Sequence, residues 1–406
     1  MRSREVAVTG LGLVTPAGVG VAESWATICA GTPTAAADPR LAGLAVDFSC
    51  AVAGFDPEAL LGAKLAWRMD RYMQFALVAA GEAVVDSGLD PAVWDGARVA
   101  VVCGTAHGGT YAHEDNHRRY LDGTLKVSAL TVPMMLPNMA AGELAIRYRA
   151  LGPNLSPAMG CATGTSAIGQ GRSLILSGAA DVVLAGASEA AVSPFAVTCL
   201  DRMNALSGKS ADPAAASRPF DADRDGFVIA EGAAVLVLES LSHARGRGAR
   251  IRALLAGYGA AADGHHVTAP HPDGAGLVRA VEAALADTGH AGSVVDHVNA
   301  HGTGTRLNDT IEARVLHRTV GPDAAVTSVK GCIGHTLGAA GAIEAAVTVL
   351  SVQHGLIPPT ANLTVQDPQI DLDVVRDTAR RADVRAALST SSGFGGQNAA
   401  LVFTPA

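Results

Sequence analysis

The sequence predicts an α/β protein, because apolar strand-like segments alternate with helix-like segments along the chain. Buried strands of this kind need helices on both faces of their sheet. Hydrophobic residues make up 49% of the 406 residues and charged residues only 17%. The chain can therefore bury a large core, and its composition favours an oligomer that covers part of the remaining apolar surface. The 46 glycines suit closely packed sheets and helices joined by many turns.

The first half begins with strands and one long helix. Arg71–Ser87 is predicted to be helical, with apolar side chains at Phe75, Val78 and Val85. Residues 104–142 are rich in His, Pro and Met and are predicted to be irregular. This stretch is longer than a simple connecting loop, which favours a functional role. Short apolar runs predict buried strands at residues 6–11, 98–103, 181–187 and 233–238.

The second half repeats this alternation and closes the sheet. The sequence Arg245-Gly246-Arg247-Gly248 is polar and glycine-rich, which predicts a link between the halves. The halves share no sequence identity strong enough to prove a repeat. Helices are predicted at residues 274–288 and 336–354, and strands at residues 251–257, 294–299, 324–329, 389–392 and 399–403.

Cys161 is the first candidate for chemistry. It follows Pro157 and Gly160, which suit a tight turn, and it precedes residues 162–176, which contain no proline and can be helical. A thiol at a helix N-terminus would have a lowered pKa and a larger thiolate fraction. The alternative is a buried structural cysteine, which is the commoner fate of a free thiol.

Two histidines far downstream favour the catalytic interpretation. His301 and His335 each follow an apolar strand and lie among glycines that allow a ligand to approach the backbone. A cysteine and two histidines in glycine-rich loops at strand ends form a plausible nucleophilic site.

These three segments, together with Ser391-Ser392-Gly393-Phe394-Gly395-Gly396, resemble the signature of the β-ketoacyl-carrier-protein synthases. The resemblance extends over nearly the whole chain. It implies the thiolase fold, in which two similar α/β halves form a layered αβαβα sandwich. Residues 1–248 would carry the nucleophile, and residues 249–406 would carry the two histidines.

The resemblance also assigns roles in a decarboxylative Claisen condensation. Cys161 would take the acyl group from a carrier thioester, and the backbone N–H groups of Cys161 and Phe394 would stabilise the oxyanion. His301 and His335 would donate hydrogen bonds to the enolate oxygen. Lys330 matches the active-site lysine of the family, and Glu312 matches the acid that pairs with it, although a purely structural ion pair is an equal alternative.

Other matched positions concern the substrate. Thr303 and Thr305 would bind the phosphopantetheine arm of the carrier, and Phe394 would gate the site. Phe227 would line the pocket, with a core role as the alternative. His107 stands where fatty-acid synthases tend to have an aliphatic gate, and an imidazole there disfavours a saturated long chain.

The motifs favour a ketosynthase of type II polyketide biosynthesis. Gly160 before the nucleophile and the sequence Arg306-Leu307-Asn308-Asp309 are familiar from aromatic polyketide ketosynthases. The alternative pathway is fatty-acid elongation by a 3-oxoacyl-carrier-protein synthase II. An alternative of another class is a non-catalytic partner subunit of the chain-length-factor type, which generally lacks the reactive cysteine.

Composition and charge limit the partners. The net charge of −8 argues against nucleic-acid binding, and an acidic acyl carrier protein would need a local basic patch, for which Lys64, Arg68 and Arg71 are candidates. No segment predicts a membrane span or a signal peptide, and six unclustered cysteines favour a reducing cytoplasm. The family implies a homodimer or a heterodimer with a chain-length-factor-like homologue. We predict no metal and no cofactor beyond the carrier's phosphopantetheine, because the pair His113 and His117 lacks a third ligand.

Overall fold

The computed structural model describes residues 5–124, 126–289 and 295–406 and has the predicted α/β architecture. The strands are β1 (Val6–Thr15), β2 (Gly18–Val19), β3 (Ala36–Ala37), β4 (Phe48–Ser49), β5 (Val99–Gly104), β6 (Asn154–Leu155), β7 (Val182–Glu189), β8 (Gly232–Ser240), β9 (Ala253–Ala262), β10 (His297–Asn299), β11 (Ala325–Thr327), β12 (Leu356–Ile357), β13 (Asp373–Val374), β14 (Arg380–Arg381), β15 (Ala387–Gly393) and β16 (Gln397–Thr404). The helices are α1 (Val21–Cys29), α2 (Pro57–Leu61), α3 (Ala63–Ala66), α4 (Arg71–Ser87), α5 (Thr110–Leu121), α6 (Thr131–Met135), α7 (Met139–Tyr148), α8 (Thr163–Leu176), α9 (Pro194–Arg202), α10 (Leu241–Gly246), α11 (Ala275–Asp287), α12 (Arg306–Thr319), α13 (Lys330–Ile333) and α14 (Ala340–His354).

The main sheet consists of two sets of strands with the same topology. The first set has the spatial order β1-β8-β7-β5-β6, and the second has the order β9-β16-β15-β10-β11, followed by β13. In both sets the first two neighbouring pairs are antiparallel and the next two are parallel. The two sets meet where β1 pairs with β9, with Ala7 opposite Leu254 and Val8 opposite Ala253. The internal repeat that sequence comparison could not prove is therefore visible in the order and direction of the strands.

Both sets of strands are buried on both faces, which produces five layers. On β8, Leu236 packs into the central cluster and Val235 into an outer cluster with α4 and α7. On β16, Leu401 packs into the same central cluster and Val402 into a second outer cluster with α11 and α12. Helices α8 and α14 fill the central cluster between the two sets. The αβαβα sandwich implied by the family resemblance is confirmed.

The two central helices cross at glycines. A Cβ on Gly164 of α8 would lie 2.3 Å from the backbone nitrogen of Ala342, and one on Gly341 of α14 would lie 2.1 Å from Oγ1 of Thr165. Neither distance is possible for real atoms, so only glycine permits this approach. The crossing brings the start of α8 close to the start of α14. The predicted nucleophile, Cys161, lies on the loop before α8, and the predicted histidine His335 lies on the loop before α14.

Residues 104–142 were predicted to be irregular, and this prediction is wrong. The stretch contains α5, α6 and the beginning of α7. The sequence signal is weak because only Asn116 of α5 is buried, so the helix has no apolar stripe that could reveal its period. On α4 the bounds agree with the prediction, but Val85 is 81% exposed and does not belong to the buried face.

Several predicted bounds shift in the second half. The strand predicted at 251–257 forms at Ala253–Ala262, because its pairing with β16 continues past Gly257. The helix predicted from residue 336 begins at Ala340, after a short 3₁₀ turn at Leu337–Ala339. Val294, the predicted start of a strand, lies outside the described residues. Within the described part of the chain, no helix combines the length and the apolar character that crossing a membrane requires.

Candidate active site

Cys161 lies in a tight turn at the N-terminus of α8, as predicted. Gly160 has a φ of 53°, in the left-handed region that favours glycine. Oγ1 of Thr163 accepts a hydrogen bond from the backbone N–H of Met159 at 2.8 Å and donates to the carbonyl of Gly160 at 2.7 Å. The Thr163 side chain therefore stabilises the turn that carries the sulfur of Cys161.

The Gly393–Gly396 loop covers this turn from the other half of the molecule. A Cβ on Gly393 would lie 3.0 Å from the backbone nitrogen of Cys161, and one on Gly160 would lie 3.4 Å from the backbone nitrogen of Phe394. The Phe394 side chain is 41% exposed. The two backbone amides that the family resemblance assigns to the oxyanion hole thus belong to loops in close contact.

His301 is held by a carboxylate beneath its loop. The backbone N–H groups of His301 and Gly302 donate to the two oxygens of Glu312 at 2.8 and 2.7 Å, and the Thr390 hydroxyl donates to the same carboxylate at 2.8 Å. Because these donors occupy both oxygens, Glu312 positions the backbone of the loop. The predicted pairing of Glu312 with Lys330 is wrong.

The buried acid that pairs with Lys330 is Glu344, on α14. Nζ of Lys330 forms a short ion pair with Oε1 of Glu344 and donates to the carbonyl oxygen of His301 at 2.5 Å. Both side chains are only 1% exposed. Burial raises the pKa of Glu344 to about 7, whereas the neighbouring Lys330 acts in the opposite direction. An ammonium group is therefore fixed directly beneath the His301 loop.

His335 contacts the nucleophile. Its backbone N–H donates to the carbonyl of Val228 at 2.7 Å, and its Nε2 lies 3.2 Å from Sγ of Cys161. The ring centroids of His301 and His335 are 5.3 Å apart at an interplanar angle of 83°. Phe227 packs edge-on against His335 at 5.1 Å. The structure thus brings together the cysteine and both histidines, from segments that are far apart in sequence.

The partners of the imidazoles indicate which nitrogen carries the proton. Nδ1 of His335 accepts the backbone N–H of Leu337 at 3.3 Å, so the proton of the neutral ring lies on Nε2. Nδ1 of His301 lies 3.3 Å from Nζ of Lys330, and because an ammonium group can only donate, Nδ1 accepts there as well. Burial holds the pKa of both histidines well below 6.5, and the charge of Lys330 adds to the effect. Both rings are therefore neutral at pH 7 with Nε2–H as the donor.

The thiol is less acidic than its position at a helix end predicts. Burial raises the pKa of Cys161 to about 12, although the charge of Lys330 acts to lower it. Desolvation of the thiolate is the largest cause, and it outweighs the lowering effects of the Lys330 charge and of the backbone hydrogen bond. The expectation of a lowered pKa is wrong, and the resting group is the neutral thiol.

Cys161 opens into a cavity of about 970 Å³. Its walls include most of the predicted substrate residues, namely Thr303, Thr305, Phe227, His107 and Phe394. The hydroxyls of Thr303 and Thr305 are 2.9 Å apart on one side of the nucleophile. Phe227 is 5% exposed, so it belongs to the core and to the cavity wall together.

The three basic residues proposed for carrier docking differ in their surroundings. Lys64 and Arg68 are exposed, and Arg68 has only a distant ion pair with Glu143 at 3.9 Å. Arg71 binds the buried carboxylate of Glu231 at 2.8 Å and also stacks on Phe75. Arg71 is therefore part of a structural network, and its role in carrier docking stays a prediction.

The cavity also contains a donor set that a metal ion could use. Sγ of Cys161 and one ring nitrogen each of His301 and His335 lie within 4.8 Å of one another. Zinc accepts such sulfur and nitrogen ligands. The arrangement serves equally as a nucleophile with two hydrogen-bond donors, which requires no metal. The rings of His113 and His117 are stacked with centroids 5.8 Å apart. Among the described residues, no third ligand joins this pair in a metal-binding cluster.

Two buried acids of the site were not predicted. Glu344 lies in an apolar helical run, where a single acid signals a buried cation nearby. Glu189 ends β7, is completely buried, and accepts N–H groups from the loops that carry His107 and His335. The sequence contained the signal for Glu344, but only the fold could identify its partner.

Family models and known relatives match the chain over its length. The model "Beta-ketoacyl synthase, N-terminal domain" matches residues 3–244, and "Beta-ketoacyl synthase, C-terminal domain" matches residues 252–364. The chain is 41% identical to "Putative polyketide beta-ketoacyl synthase 1" of Streptomyces halstedii, covering 99% of this chain and 98% of the relative. It is 40% identical to "3-oxoacyl-[acyl-carrier-protein] synthase 2" of Synechocystis sp., with the same coverage of both chains.

Solved structures are similar as well. The structure of "the ishigamide ketosynthase/chain length factor" aligns with a TM-score of 0.93 at 33% identity, covering 100% of both chains. A type II PKS acyl-carrier protein in complex with its ketosynthase aligns with a TM-score of 0.92 at 33% identity, again over 100% of both chains.

Proposed function

Since the chain belongs to the beta-ketoacyl synthase family, we propose that it condenses a Cys161-bound acyl chain with malonyl-ACP in type II polyketide biosynthesis. The reaction is a decarboxylative Claisen condensation, and the enzyme is an acyltransferase that forms a carbon–carbon bond. The observation that carries this proposal is the contact of 3.2 Å between Sγ of Cys161 and Nε2 of His335, with His301 beside it in the wall of the cavity.

The first half-reaction is a thioester exchange. The sulfur of Cys161 attacks the carbonyl of the acyl carrier thioester, and the bond from that carbonyl to the carrier sulfur breaks. The carrier leaves as a thiol with the proton that Cys161 gives up, so the exchange needs no net proton donor. A resting neutral thiol is compatible with this balance. We assign the backbone N–H groups of Cys161 and Phe394 to the oxyanion, where each donor contributes about 3–4 kcal/mol.

The second half-reaction forms the new carbon–carbon bond. Malonyl-ACP loses CO₂, and the remaining electron pair becomes an enolate whose charge lies on the thioester oxygen. Nε2–H of His301 and Nε2–H of His335 donate to that oxygen. The enolate carbon then attacks the acyl group on Cys161, whose sulfur leaves and takes a proton from water to restore the thiol.

Lys330 supports this step without touching the substrate. Its ammonium group holds Nδ1 of His301 as an acceptor, which keeps the proton on Nε2. Lys330 is therefore a positioning residue. Thr303 and Thr305 are proposed to bind the phosphopantetheine arm, because their hydroxyls lie in the cavity wall beside His301.

The proposal also assigns the condensation to a biosynthetic pathway. Relatives named for polyketide and for fatty-acid synthesis are about equally similar, at 41% and 40% identity. His107 in the cavity wall favours the polyketide assignment, whereas the Synechocystis relative favours 3-oxoacyl-ACP synthase II as the second candidate. The presence of the sulfur and both imidazoles in contact geometry argues against a non-catalytic partner subunit.

The partners and the setting follow from this chemistry. We propose an acyl carrier protein as the substrate carrier, no cofactor beyond its phosphopantetheine, and a cytoplasmic location. The dimer is proposed to be a homodimer or a heterodimer with a chain-length-factor-like homologue, as in the ishigamide pair. We also propose 1–248 and 249–406 as the two thiolase-like halves, since residue 248 lies between β8 and β9.

The test of the proposed function is acylation followed by condensation. Incubation with acyl-ACP is expected to add one acyl group, and peptide mapping should place it on Cys161. Addition of malonyl-ACP should then discharge the adduct and give a 3-oxoacyl-ACP. A folded protein that accepts no acyl group from carriers of several chain lengths would overturn the proposal in favour of a scaffold role. Preference for long saturated chains would favour the fatty-acid pathway.

Lys64 and Arg68 are proposed to contact the acidic carrier. Reversal of either charge, as Lys64→Glu or Arg68→Glu, should weaken carrier binding by on the order of 10-fold at low salt, because like charges would then face each other. The matched control is Arg318→Glu, an exposed residue on α12 in the outer helical layer of the other half. Titration of the carrier by calorimetry measures the effect. Equal loss in all three variants would point to net charge instead of a docking surface.

A further inference from the structure

Two groups of residues in the wall of the cavity differ in their chemistry. One group contains Thr303, Thr305 and Asn398, beside which the phosphopantetheine is proposed to lie. The other group comes from the segments 106–114 and 195–200. Because the first group is assigned to the phosphopantetheine, the second is assigned to the acyl chain that Cys161 carries.

This second group is not purely apolar, as the wall of a hydrocarbon tunnel would be. Phe195 and Leu200 supply apolar surface, but His107, His113 and Glu114 lie in the same wall. A saturated chain would cover these polar groups without offering them a hydrogen bond, and such burial is unfavourable. Carbonyl oxygens along the chain would accept hydrogen bonds from the two imidazoles, whereas the Glu114 carboxylate already accepts one from the Ser193 hydroxyl.

Within this second group, Glu189 fixes the position of His107. Its backbone N–H donates to Oε1 of Glu189 at 3.3 Å, and its ring nitrogen Nδ1 lies 3.6 Å from the same oxygen. Glu189 is completely buried, whereas the His107 side chain is 45% exposed. Hydrogen bonding to Glu189 raises the pKa of His107, so the carboxylate favours the imidazolium. With Nδ1 turned toward Glu189, the Nε2–H of this cavity-lining ring has no hydrogen-bond partner among the described residues.

Glu189 also connects this histidine to the catalytic loop. It accepts the backbone N–H of Ala106 at 2.8 Å and the backbone N–H of Gly338 at 3.2 Å. Gly338 follows His335 by three residues, and a Cβ on it would lie 2.6 Å from the nitrogen of Ala106. The loop of His107 is therefore fixed against the loop of His335, which gives the imidazole a constant position relative to the nucleophile.

We propose that His107, held by Glu189, donates a hydrogen bond to a carbonyl oxygen of the acyl chain, so that the enzyme selects 3-oxoacyl chains over saturated chains of equal length. This inference rests on the proposed condensing function and assigns its substrate class. His107 is the residue that determines specificity, and Glu189 positions it.

The test compares carriers loaded with hexanoyl and 3-oxohexanoyl groups, with acylation of Cys161 followed by intact mass. The wild-type enzyme is expected to react faster with the 3-oxo chain by about 10- to 100-fold, the range of a hydrogen bond to a charged group. His107→Leu should remove this preference by slowing the 3-oxo chain and accelerating the saturated one. His107→Gln retains an N–H donor and should keep part of the preference.

The matched control is His117→Leu, which makes the same chemical change on an exposed position of α5 outside the cavity wall. It should leave the preference at the wild-type value. Equal rates for both chains in the wild type, or an unchanged preference in His107→Leu, would overturn the inference while the condensing function stands. Failure of both chains to acylate Cys161 would instead overturn the proposed function and the inference with it.

Discussion

Replacing His301 or His335 with alanine is expected to slow the decarboxylation of malonyl-ACP by about 10²–10³-fold for each residue. Each substitution removes one Nε2–H donor from the developing charge on the thioester oxygen, and both histidine side chains are buried. The measurement is the conversion of malonyl-ACP to acetyl-ACP, followed by mass spectrometry. Acylation of Cys161 should be less affected in His301→Ala, because His335 makes the contact of 3.2 Å with the sulfur.

Cys161→Ala is the matched control for this prediction. It should lose the acyl adduct and the condensation product entirely, yet continue to decarboxylate malonyl-ACP, because both imidazoles remain in place. Decarboxylation that fell as far in Cys161→Ala as in the histidine variants would contradict the separation of roles.

The low pKa of both histidines also predicts that the decarboxylation rate does not fall between about pH 8 and pH 6, since neither ring gains a second proton in that range.

The nucleophile and both histidines could be predicted from sequence because local patterns mark them. Each follows a turn or strand end and lies beside glycine, so a short window of sequence contains the signal. The strands could be predicted for a similar reason, since their apolar runs are bounded by turn residues. Helix α5 could not, because its surface is polar on almost every side and its period carries no contrast.

The electrostatic partners could not be predicted, because they depend on tertiary contacts. Glu312 and Glu344 are both separated from Lys330 along the chain, and the family resemblance assigned Glu312 as its partner. In the fold, backbone N–H groups occupy Glu312, and the crossing of α8 and α14 directs Glu344 to Lys330. The thiol shows the same limitation: the helix end is visible in the sequence, whereas the desolvation that raises the pKa of Cys161 depends on the surrounding structure.

Glu344→Gln is expected to lower the free energy of unfolding by about 3–5 kcal/mol, because it leaves the buried ammonium of Lys330 without a counter-charge. It should also reduce decarboxylation. Without the carboxylate of Glu344, the Lys330 side chain is no longer held against Nδ1 of His301, and the ring proton can move from Nε2 to Nδ1. Denaturant unfolding and the malonyl-ACP assay measure the two effects on the same protein.

A double variant separates stability from catalysis. Lys330→Met combined with Glu344→Leu removes both charges and fills the space with apolar side chains, a change that commonly restores or exceeds the original stability for a buried pair. Its unfolding free energy should return to within about 1 kcal/mol of the wild type. Its decarboxylation should remain low, because no group then holds Nδ1 of His301 as an acceptor. A double variant that recovers activity together with stability would show that the ion pair supports the fold alone, whereas a stable and inactive one assigns Lys330 to the tautomer of His301.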